Sequence, residues 1–248
     1  MKIRIDKLLV DRGLVPSRER AQAMILAGRV LVNEQKVNKS GSSFEDAAAV
    51  IRILGDDQKF VSRGGTKLER ALDHWKIDLE GCTCADVGAS TGGFTDCMLQ
   101  RGSAAVVAID TGYGQIDVKL RGDARVRLLE KTNARYLEAG KVPESVAFVA
   151  MDVSFISATL VLPAVVRALW EGRSSGRREL VLLVKPQFEV GRGAVGKGGI
   201  VRDASAQQGA VDKVRAAVES LGGHEVEVIE SPILGTEGNR EFLLHAKF

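Results

Sequence analysis

The sequence is poor in cysteine, histidine and the larger aromatic residues. Its 248 residues include three cysteines, three histidines, two tryptophans and two tyrosines. The cysteines are Cys82, Cys84 and Cys97, an odd number without C-x-x-C spacing, and no histidine cluster accompanies them. This pattern excludes a disulfide framework and disfavours a zinc site. We therefore expect free thiols in a reducing cytoplasm and no bound metal.

Long apolar runs are also missing. The longest, Ala158–Trp170, is interrupted by Pro163 and Arg167 and is too short to span a bilayer. The N-terminal M-K-I-R-I-D-K lacks the apolar core of a signal peptide. With 45% hydrophobic and 27% charged residues, the composition is that of a globular protein, long enough for one α/β domain and a small appendage. We expect a cytoplasmic protein.

Charge is concentrated at one end of the chain. The net charge of the whole sequence is +3, whereas residues 1–40 contain nine basic and four acidic residues, a net charge of +5. A basic module on a near-neutral body is typical of a nucleic-acid-binding protein.

The first forty residues predict two short helices and a hairpin. Apolar residues recur with helical spacing, Gly13 and Gly28 end the two helices, and V-L-V-N-E-Q-K-V predicts a hairpin across Asn33-Glu34-Gln35. The pattern I-D-K-L-L-V-D-R-G-L-V-x-S-R-x-x-A-x-x-x-I-x-x-G-x-V-L-V-N resembles the S4 RNA-binding domain. Its cations could simply be solvated charges on a helical cap; the RNA-binding alternative assigns phosphate contacts to Arg4, Lys7, Arg18, Arg20 and Arg29.

The segment 44–53 predicts one or two further strands, and Gly55-Asp56-Asp57-Gln58 breaks the pattern. We therefore predict an RNA-binding domain over 1–58, a linker over 59–66 and a second domain over 67–248. Lys67 is expected to open a helix, although the helix dipole disfavours a cation there, which suggests another role for it.

From residue 83 onward, strands and helices alternate. The predicted strands are 83–87, 105–109, 126–129, 146–151, 180–185, 225–230 and 240–246. The predicted helices are 93–101, 116–120, 156–170 and 204–221. The apolar strands fit a sheet covered on both faces, and the Gly- and Pro-containing S-P-I-L-G-T-E-G-N implies a final antiparallel hairpin. We predict a Rossmann-like methyltransferase sheet of seven strands, the last one antiparallel, preceded by a small α+β domain.

A glycine-rich turn lies between the first strand and helix of this second domain. It reads D-V-G-A-S-T-G-G-F, without the G-x-G-x-x-G spacing of dinucleotide-binding folds. Because glycines let a ligand approach the backbone and a helix N-terminus offers free N–H groups, the turn could bind a nucleotide-like ligand or be merely structural. S-adenosylmethionine fits it better than a nicotinamide dinucleotide. The predicted contacts are Asp86, Gly88, Ala89, Ser90, Thr91, Gly92, Gly93 and Phe94.

Further polar residues follow the next strands. Asp110 follows the second and could accept both ribose hydroxyls, or be an ordinary turn residue; Asn133 follows the third and could pair with adenine. Asp152 and Lys185 follow the fourth and fifth, where they could form a structural salt bridge or meet at the cofactor. Glu241 begins the last strand, while Glu237 is a competing carboxylate in the preceding loop.

In their local sequences, Lys67, Asp152, Lys185 and Glu241 resemble the Lys-Asp-Lys-Glu tetrad of the FtsJ-like RNA ribose 2′-O-methyltransferases. With the S4-like module in front, the whole chain resembles the TlyA family. Members of that family are cytidine 2′-O-methyltransferases of ribosomal RNA and are also labelled hemolysin A. The matching motifs are S-R-G-G-x-K-L, D-V-G-A-S-T-G-G-F-T-D, M-D-V-S-F-I-S, V-K-P-Q-F-E and G-N-x-E-F. One departure lies in the interdomain segment, which reads Q-K-F-V at residues 58–61. Some family members have tryptophan in place of the phenylalanine before the valine.

The resemblance implies a methyl transfer from S-adenosylmethionine to a ribose hydroxyl. A lysine acts as base only when burial or a neighbouring cation favours its neutral form. We predict Lys185 as the base, oriented by Asp152, with Lys67 as the neighbouring cation held by Glu241. The glycine-rich E-V-G-R-G-A-V-G-K-G-G-I could be a floppy loop or an RNA-contacting lid.

For the RNA, we predict further contacts at Arg63, Arg192 and Lys197, with Phe155, Phe188 and Tyr113 available for base stacking. The alternatives are a non-catalytic RNA-binding ribosome-assembly factor and, on the hemolysin label, a cytolysin. The absence of a long amphipathic or spanning segment disfavours the cytolysin. The partner expected is ribosomal RNA or a ribosomal subunit, with the protein a monomer or weak dimer.

Overall fold

The computed structural model describes residues 2–54, 59–172, 176–235 and 238–248, and within these ranges not the side chain of Arg192. The chain forms two compact units, Met1–Asp57 and Gln58–Phe248. No helix of the described ranges is long and apolar enough to cross a membrane. The same ranges contain no cluster of three or more potential metal ligands.

The first unit packs two short helices against short antiparallel strands. Its elements are β1 (Lys2–Arg4), α1 (Ile5–Asp11), α2 (Arg18–Leu26), β2 (Val30–Val32), β3 (Gln35–Lys36), β4 (Ser43–Glu45) and β5 (Ile51–Ile53). Strand β1 pairs with β4, and β2 lies between β3 and β5. Apolar residues with helical spacing, such as Leu8 and Ile25, are buried between these elements as expected. The hairpin turn is one residue shorter than predicted, because Asn33 and Glu34 both adopt the positive φ angles of a two-residue turn.

The second unit is a seven-stranded sheet with helices on both faces. Its strands are β6 (Thr83–Val87), β7 (Ala105–Ile109), β8 (Val126–Leu129), β9 (Val146–Met151), β10 (Glu179–Val184), β11 (His224–Glu230) and β12 (Phe242–Lys247). Its helices are α3 (Gly64–Trp75), α4 (Gly93–Gln100), α5 (Val118–Arg121), α6 (Ala158–Trp170), α7 (Pro186–Glu189) and α8 (Ala204–Ser220).

The strand order is β11-β12-β10-β9-β6-β7-β8, and β12 runs antiparallel to the other six strands. Helices α6 and α8 cover one face, and α3, α4 and α5 contribute to the core on the other. The predicted fold is therefore confirmed, including its antiparallel last strand. The strand order reverses between β6 and β9. The chain continues from β6 to β7 on one side and from β9 to β10 on the other, and a crevice at the carboxyl ends of two such strands is where open α/β sheets bind ligands.

The segment predicted as a linker over 59–66 packs within the second unit. Phe60 is buried, and the backbone N–H of Val61 donates to Asp96 Oδ2 at 2.8 Å. Helix α3 begins at Gly64, three residues before the predicted start at Lys67. Glycine is needed in this first turn because a Cβ on Gly65 would overlap the Phe60 ring. The interdomain break at 55–58 lies outside the described residues.

Smaller corrections concern where elements begin. Helix α6 starts at Ala158 rather than at residue 156, since Ser157 caps it and Phe155 has a φ of +63°. Strand β12 starts at Phe242, so Glu241 lies just before the strand rather than in it. Cys84 and Cys97 are free and buried, and burial raises the pKa of both thiols to about 12.

Candidate active site

The glycine-rich turn joins β6 to α4 and is built around a buried carboxylate. Asp86, 1% exposed, accepts hydrogen bonds through Oδ2 from the backbone N–H and the hydroxyl of Thr95, at 2.8 and 2.6 Å. Its Oδ1 is buried without a hydrogen-bond partner among the described residues. Burial raises the pKa of Asp86 to about 7, and the carboxylates of Asp152 and Asp110 add to the rise, while the Thr95 hydrogen bonds oppose it.

Two glycines of this turn have positive φ, +88° at Gly88 and +94° at Gly92. A Cβ on Gly88 would overlap the carbonyl oxygen of Asp152 in the neighbouring strand connection. The other predicted ligand contacts all line a cleft beside the turn: Ala89, Ser90, Thr91, Gly93 and Phe94. Ala89 and Phe94 also pack in the apolar core, whereas Ser90 and Thr91 are exposed.

A cleft of about 400 Å³ opens beside the turn, and Gly88, Ser90, Asp110, Asn133 and Asp152 are among its walls. Asp110 is fixed there because Oδ2 accepts from the Ser90 N–H at 2.8 Å and Oδ1 accepts from the Gly112 N–H at 2.6 Å. The side-chain oxygen of Asn133 accepts from the Arg135 N–H at 3.0 Å. The structure thus brings both predicted strand-end residues to one cleft.

The four tetrad residues line an adjoining cleft of about 270 Å³, together with Gly88 and Asp86. They form two ion pairs. Lys67 Nζ lies 2.5 Å from Glu241 Oε2, with both side chains at most 10% exposed, and Lys185 Nζ lies 2.6 Å from Asp152 Oδ1. Lys185 also donates to Ser154 Oγ at 2.7 Å. Helix α3, the residues that follow β9 and β10, and the residue that precedes β12 therefore bring two lysines and two carboxylates into one cleft.

The predicted RNA contacts have mixed environments. Arg4 and Arg18 both bind the buried Asp6, at 2.9 and 3.0 Å, although each side chain stays 52% exposed. The Nε of Arg29 donates to the carbonyl of Leu54 at 2.8 Å. Of the other cations predicted to contact RNA, Arg20 is half-buried, and Lys7, Arg63 and Lys197 are exposed. The side chain of Arg192 and the whole of Glu237 lie outside the described residues.

Comparisons with known proteins agree with this geometry. The FtsJ-like methyltransferase family model matches residues 60–248, and the S4 domain model matches residues 3–43. The 16S/23S rRNA (cytidine-2′-O)-methyltransferase TlyA of Mycobacterium tuberculosis is 44% identical over 243 residues, 98% of this chain and 89% of its own. This chain belongs to the TlyA family.

Two other members of similar length carry a different label. Hemolysin A of Brachyspira hyodysenteriae is 38% identical, covering 98% of this chain and 99% of its own. A solved structure from Streptococcus thermophilus, described as a hemolysin, is 41% identical with a TM-score of 0.74, covering 99% of this chain and 88% of that one. Similarity over nearly the whole chain thus extends to proteins under both labels.

Some residues of this TlyA site were not predicted from the sequence. Thr95 and Ser154 hold Asp86 and Lys185 through their hydroxyls. Both lie within motifs that carry predicted residues, D-V-G-A-S-T-G-G-F-T-D and M-D-V-S-F. Thr95 is in the first turn of α4 and Ser154 is in the loop after β9, and a single hydroxyl residue at either place gives no periodicity or charge signal. Gly235 was also missed; a Cβ there would overlap Glu241 Oε1, so glycine gives that carboxylate its room.

Proposed function

We propose that this protein transfers a methyl group from S-adenosylmethionine to the 2′-hydroxyl of a cytidine in ribosomal RNA. The observation that carries the proposal is the meeting of Lys67, Asp152, Lys185 and Glu241 as two ion pairs beside the Gly88 turn. The name of the Mycobacterium tuberculosis relative supports the choice of cytidine and of ribosomal RNA. Action on ribosomal RNA would place the protein in the cytoplasm.

The clefts fit the methyl donor by their chemistry. Asp86 Oδ1 is a buried acceptor without a partner among the described side chains and backbone, which suits the amino group of an amino-acid moiety. Both oxygens of Asp110 are held by backbone N–H groups and keep lone pairs for two ribose hydroxyls. Gly88, which has no side chain, lines both clefts. When bound, S-adenosylmethionine supplies an electrophilic methyl group on a sulfonium.

Lys185 is proposed as the general base. A ribose hydroxyl is a poor nucleophile unless its proton is removed as the new bond forms, and a positioned base contributes about 10²- to 10⁴-fold to such a step. The Lys185 Nζ is oriented by Asp152 at 2.6 Å and by Ser154 at 2.7 Å, so its direction is fixed before the substrate arrives.

Lys67 and Glu241 are proposed to act together as the second pair. The pair is deeply buried, and burial of an ion pair costs more free energy than the same pair at the surface. Because the pair lies in the cleft that also contains Lys185, we attribute this unfavourable burial to a role in the reaction. Lys67 would place positive charge beside the acceptor hydroxyl, and Glu241 would hold Lys67 in position.

The first unit is proposed to bind RNA through its basic surface, with Arg4, Lys7, Arg18, Arg20 and Arg29 contacting phosphates. Arg63, Lys197 and Arg192 are proposed to contact RNA from the second unit. Phosphate contacts of this kind weaken with salt, so binding to ribosomal subunits should fall steeply between low and physiological ionic strength.

The direct test is transfer of tritiated methyl from S-adenosylmethionine to purified ribosomal subunits. Lys185→Ala should reduce the rate at least about 100-fold, the loss of a general base, while the dissociation constant for the cofactor changes no more than a few-fold. Lys119→Ala is the matched control, because Lys119 is an exposed lysine of α5.

A Lys185→Ala protein that methylates subunits at the wild-type rate would overturn the assignment of the base. A wild-type protein that binds the cofactor but methylates neither subunit would overturn the proposed reaction. Mapping 2′-O-methyl groups on ribosomal RNA from cells with and without the gene then identifies the nucleotide.

A further inference from the structure

A third cavity, of about 370 Å³, adjoins the tetrad cleft and shares Ser154, Lys185 and Glu241 with it. In a nucleotide, the base is attached to C1′, which is bonded to the C2′ that carries the acceptor hydroxyl. A nucleotide that presents its 2′-hydroxyl to Lys185 must therefore place its base close to Lys185. The donor cleft contains Asp110 and Asn133 and shares Ser154 and Phe155 with the third cavity. Because Lys185 lines the third cavity and not the donor cleft, the acceptor base is assigned to the third cavity.

Two aromatic rings form part of this cavity. Phe155 and Phe188 lie with ring centroids 5.4 Å apart at an angle of 51°, and the side chain of Phe155 is 92% exposed. Phe155 also has a φ of +63°, a conformation that is costly for a residue with a bulky side chain. Exposed aromatic residues held in strained backbone are characteristic of binding sites.

The polar group of the cavity is Gln187, in α7 between Lys185 and Phe188. Its side-chain oxygen is buried and has no hydrogen-bond partner in the described part of the chain. Leaving a buried acceptor without a hydrogen-bond donor is unfavourable, so the site lacks a donor. Gln187 lines the third cavity, so a group bound there is the candidate donor.

The backbone around Gln187 is fixed by its neighbour Glu189. The two oxygens of that carboxylate accept from the Ala158 N–H at 2.6 Å and from the Ser157 hydroxyl at 2.5 Å, at the start of α6. Lys213 adds an ion pair at 3.2 Å. This network joins α7 to the segment that carries Phe155, so the amide and the aromatic ring belong to one braced structure.

We propose that Gln187 reads the acceptor base and selects cytosine over uracil, an inference that rests on the proposed function. An amide presents an acceptor and a donor side by side. Cytosine presents the complementary pair, the N4 amino donor and the N3 acceptor, whereas uracil presents an O4 acceptor and an N3–H donor. In the amide orientation of the structure, the Gln187 oxygen finds its donor in the cytosine amino group and faces an oxygen in uracil. Because a rotated amide would pair with uracil, the preference for cytosine depends on this orientation being kept.

The test compares ribosomal subunits that carry either cytidine or uridine at the mapped position, using tritiated methyl transfer. In Gln187→Met, which keeps the side-chain length without an acceptor, kcat/KM on cytidine should fall about tenfold while that on uridine does not fall. The cytidine-to-uridine ratio should therefore drop about tenfold. In Gln187→Glu the carboxylate still accepts from the amino group, so the preference for cytidine should persist.

Gln208→Met is the matched control, because Gln208 lies on the exposed side of α8 and bonds Asp212. Titration with S-adenosylmethionine checks that each variant retains its donor site. An unchanged ratio in Gln187→Met, or a lost preference in Gln187→Glu, would overturn the role of Gln187. If wild-type protein methylates neither substrate, the proposed reaction fails instead.

Discussion

Asp6 in the first unit and Asp86 in the second unit are both buried, and the two carboxylates have opposite environments. Asp6, in the first unit, accepts hydrogen bonds from the side chains of Arg4, Arg18 and Gln22. The hydrogen bonds from Arg4, supported by Arg18 and Gln22, hold the pKa of Asp6 well below its usual range despite burial. Asp86, in the second unit, leaves one oxygen without a partner among the described residues, and its pKa is raised to about 7.

The comparison separates a structural carboxylate from a functional one. A buried carboxylate with hydrogen-bond donors to both oxygens stabilises the elements that supply those donors. A buried carboxylate with one oxygen lacking a donor is less stable as an anion, and a ligand that supplies the donor removes this penalty. Asp6 binds α1 to α2 within the first unit. Asp86 instead bonds Thr95 of α4 and lines the tetrad cleft, which adjoins the cleft of Asp110 and Asn133.

Replacing Asp6 or Asp86 by asparagine should give the largest difference in the free energy of unfolding. Asp6→Asn removes the negative charge between two guanidinium groups and should destabilise the first unit by about 2 to 4 kcal/mol, as for hydrogen bonds to charged groups. Asp86→Asn should change the stability of the second unit by less than about 1 kcal/mol, because an amide oxygen can still accept from Thr95. Hydrogen exchange of the full chain measures each unit separately. Equal loss of protection in both variants would contradict the distinction.

This contrast also shows what the sequence could predict. Continuous apolar runs placed most strand limits of the sheet within two residues, because a strand covered on both faces leaves a direct composition signal. Strand ends likewise led to Asp152 and Lys185. Asp6 was different. Its burial depends on Arg18 and Gln22 from the next helix, and no local period encodes that contact.

Partner choice was equally hidden from sequence. Arg4 and Arg18 were predicted to bind RNA, and nothing in their spacing indicated that both guanidinium groups would also neutralise Asp6. The sequence also could not predict that Asp86 Oδ1 and Gln187 Oε1 lack a hydrogen-bond donor among the described residues. Whether a buried oxygen has a donor depends on how the surrounding elements pack. Motifs can thus predict which residues meet, but not which of their atoms remain free.

The second expected difference is in donor binding. Asp86→Asn should raise the dissociation constant for S-adenosylmethionine about 10- to 100-fold, because a charge-assisted hydrogen bond contributes about 1.5 to 3 kcal/mol. Asp6→Asn should leave this constant unchanged. Calorimetric titration of both variants checks the result. A normal affinity in Asp86→Asn would show that the free oxygen has another partner.

The third difference concerns pH. Since the folded pKa of Asp86 is raised to about 7, its carboxylate takes up a proton as the pH falls through that value, and donor affinity should decrease at lower pH. The same shift makes the fold less stable as pH rises from about 4 to about 7. Asp6 has the opposite sign: its depressed pKa stabilises the first unit above about pH 4, and this contribution is lost on acidification. Affinity measured between pH 5.5 and 8.5 should therefore vary in wild type and stay flat in Asp86→Asn.

The smallest expected effect comes from Thr95, whose hydroxyl donates to Asp86 Oδ2 at 2.6 Å. This hydrogen bond stabilises the charged carboxylate and lowers its pKa against the effect of burial. Thr95→Val keeps the backbone N–H donor and removes only the hydroxyl. The midpoint of the pH profile for donor affinity should therefore move upward, by about one unit or less. Thr83→Val, at the other end of β6, is the matched control and should leave the midpoint in place. A downward shift in Thr95→Val would mean that the hydroxyl does not stabilise the carboxylate, and Asp86 would then owe its half-paired state to some other contact in the turn.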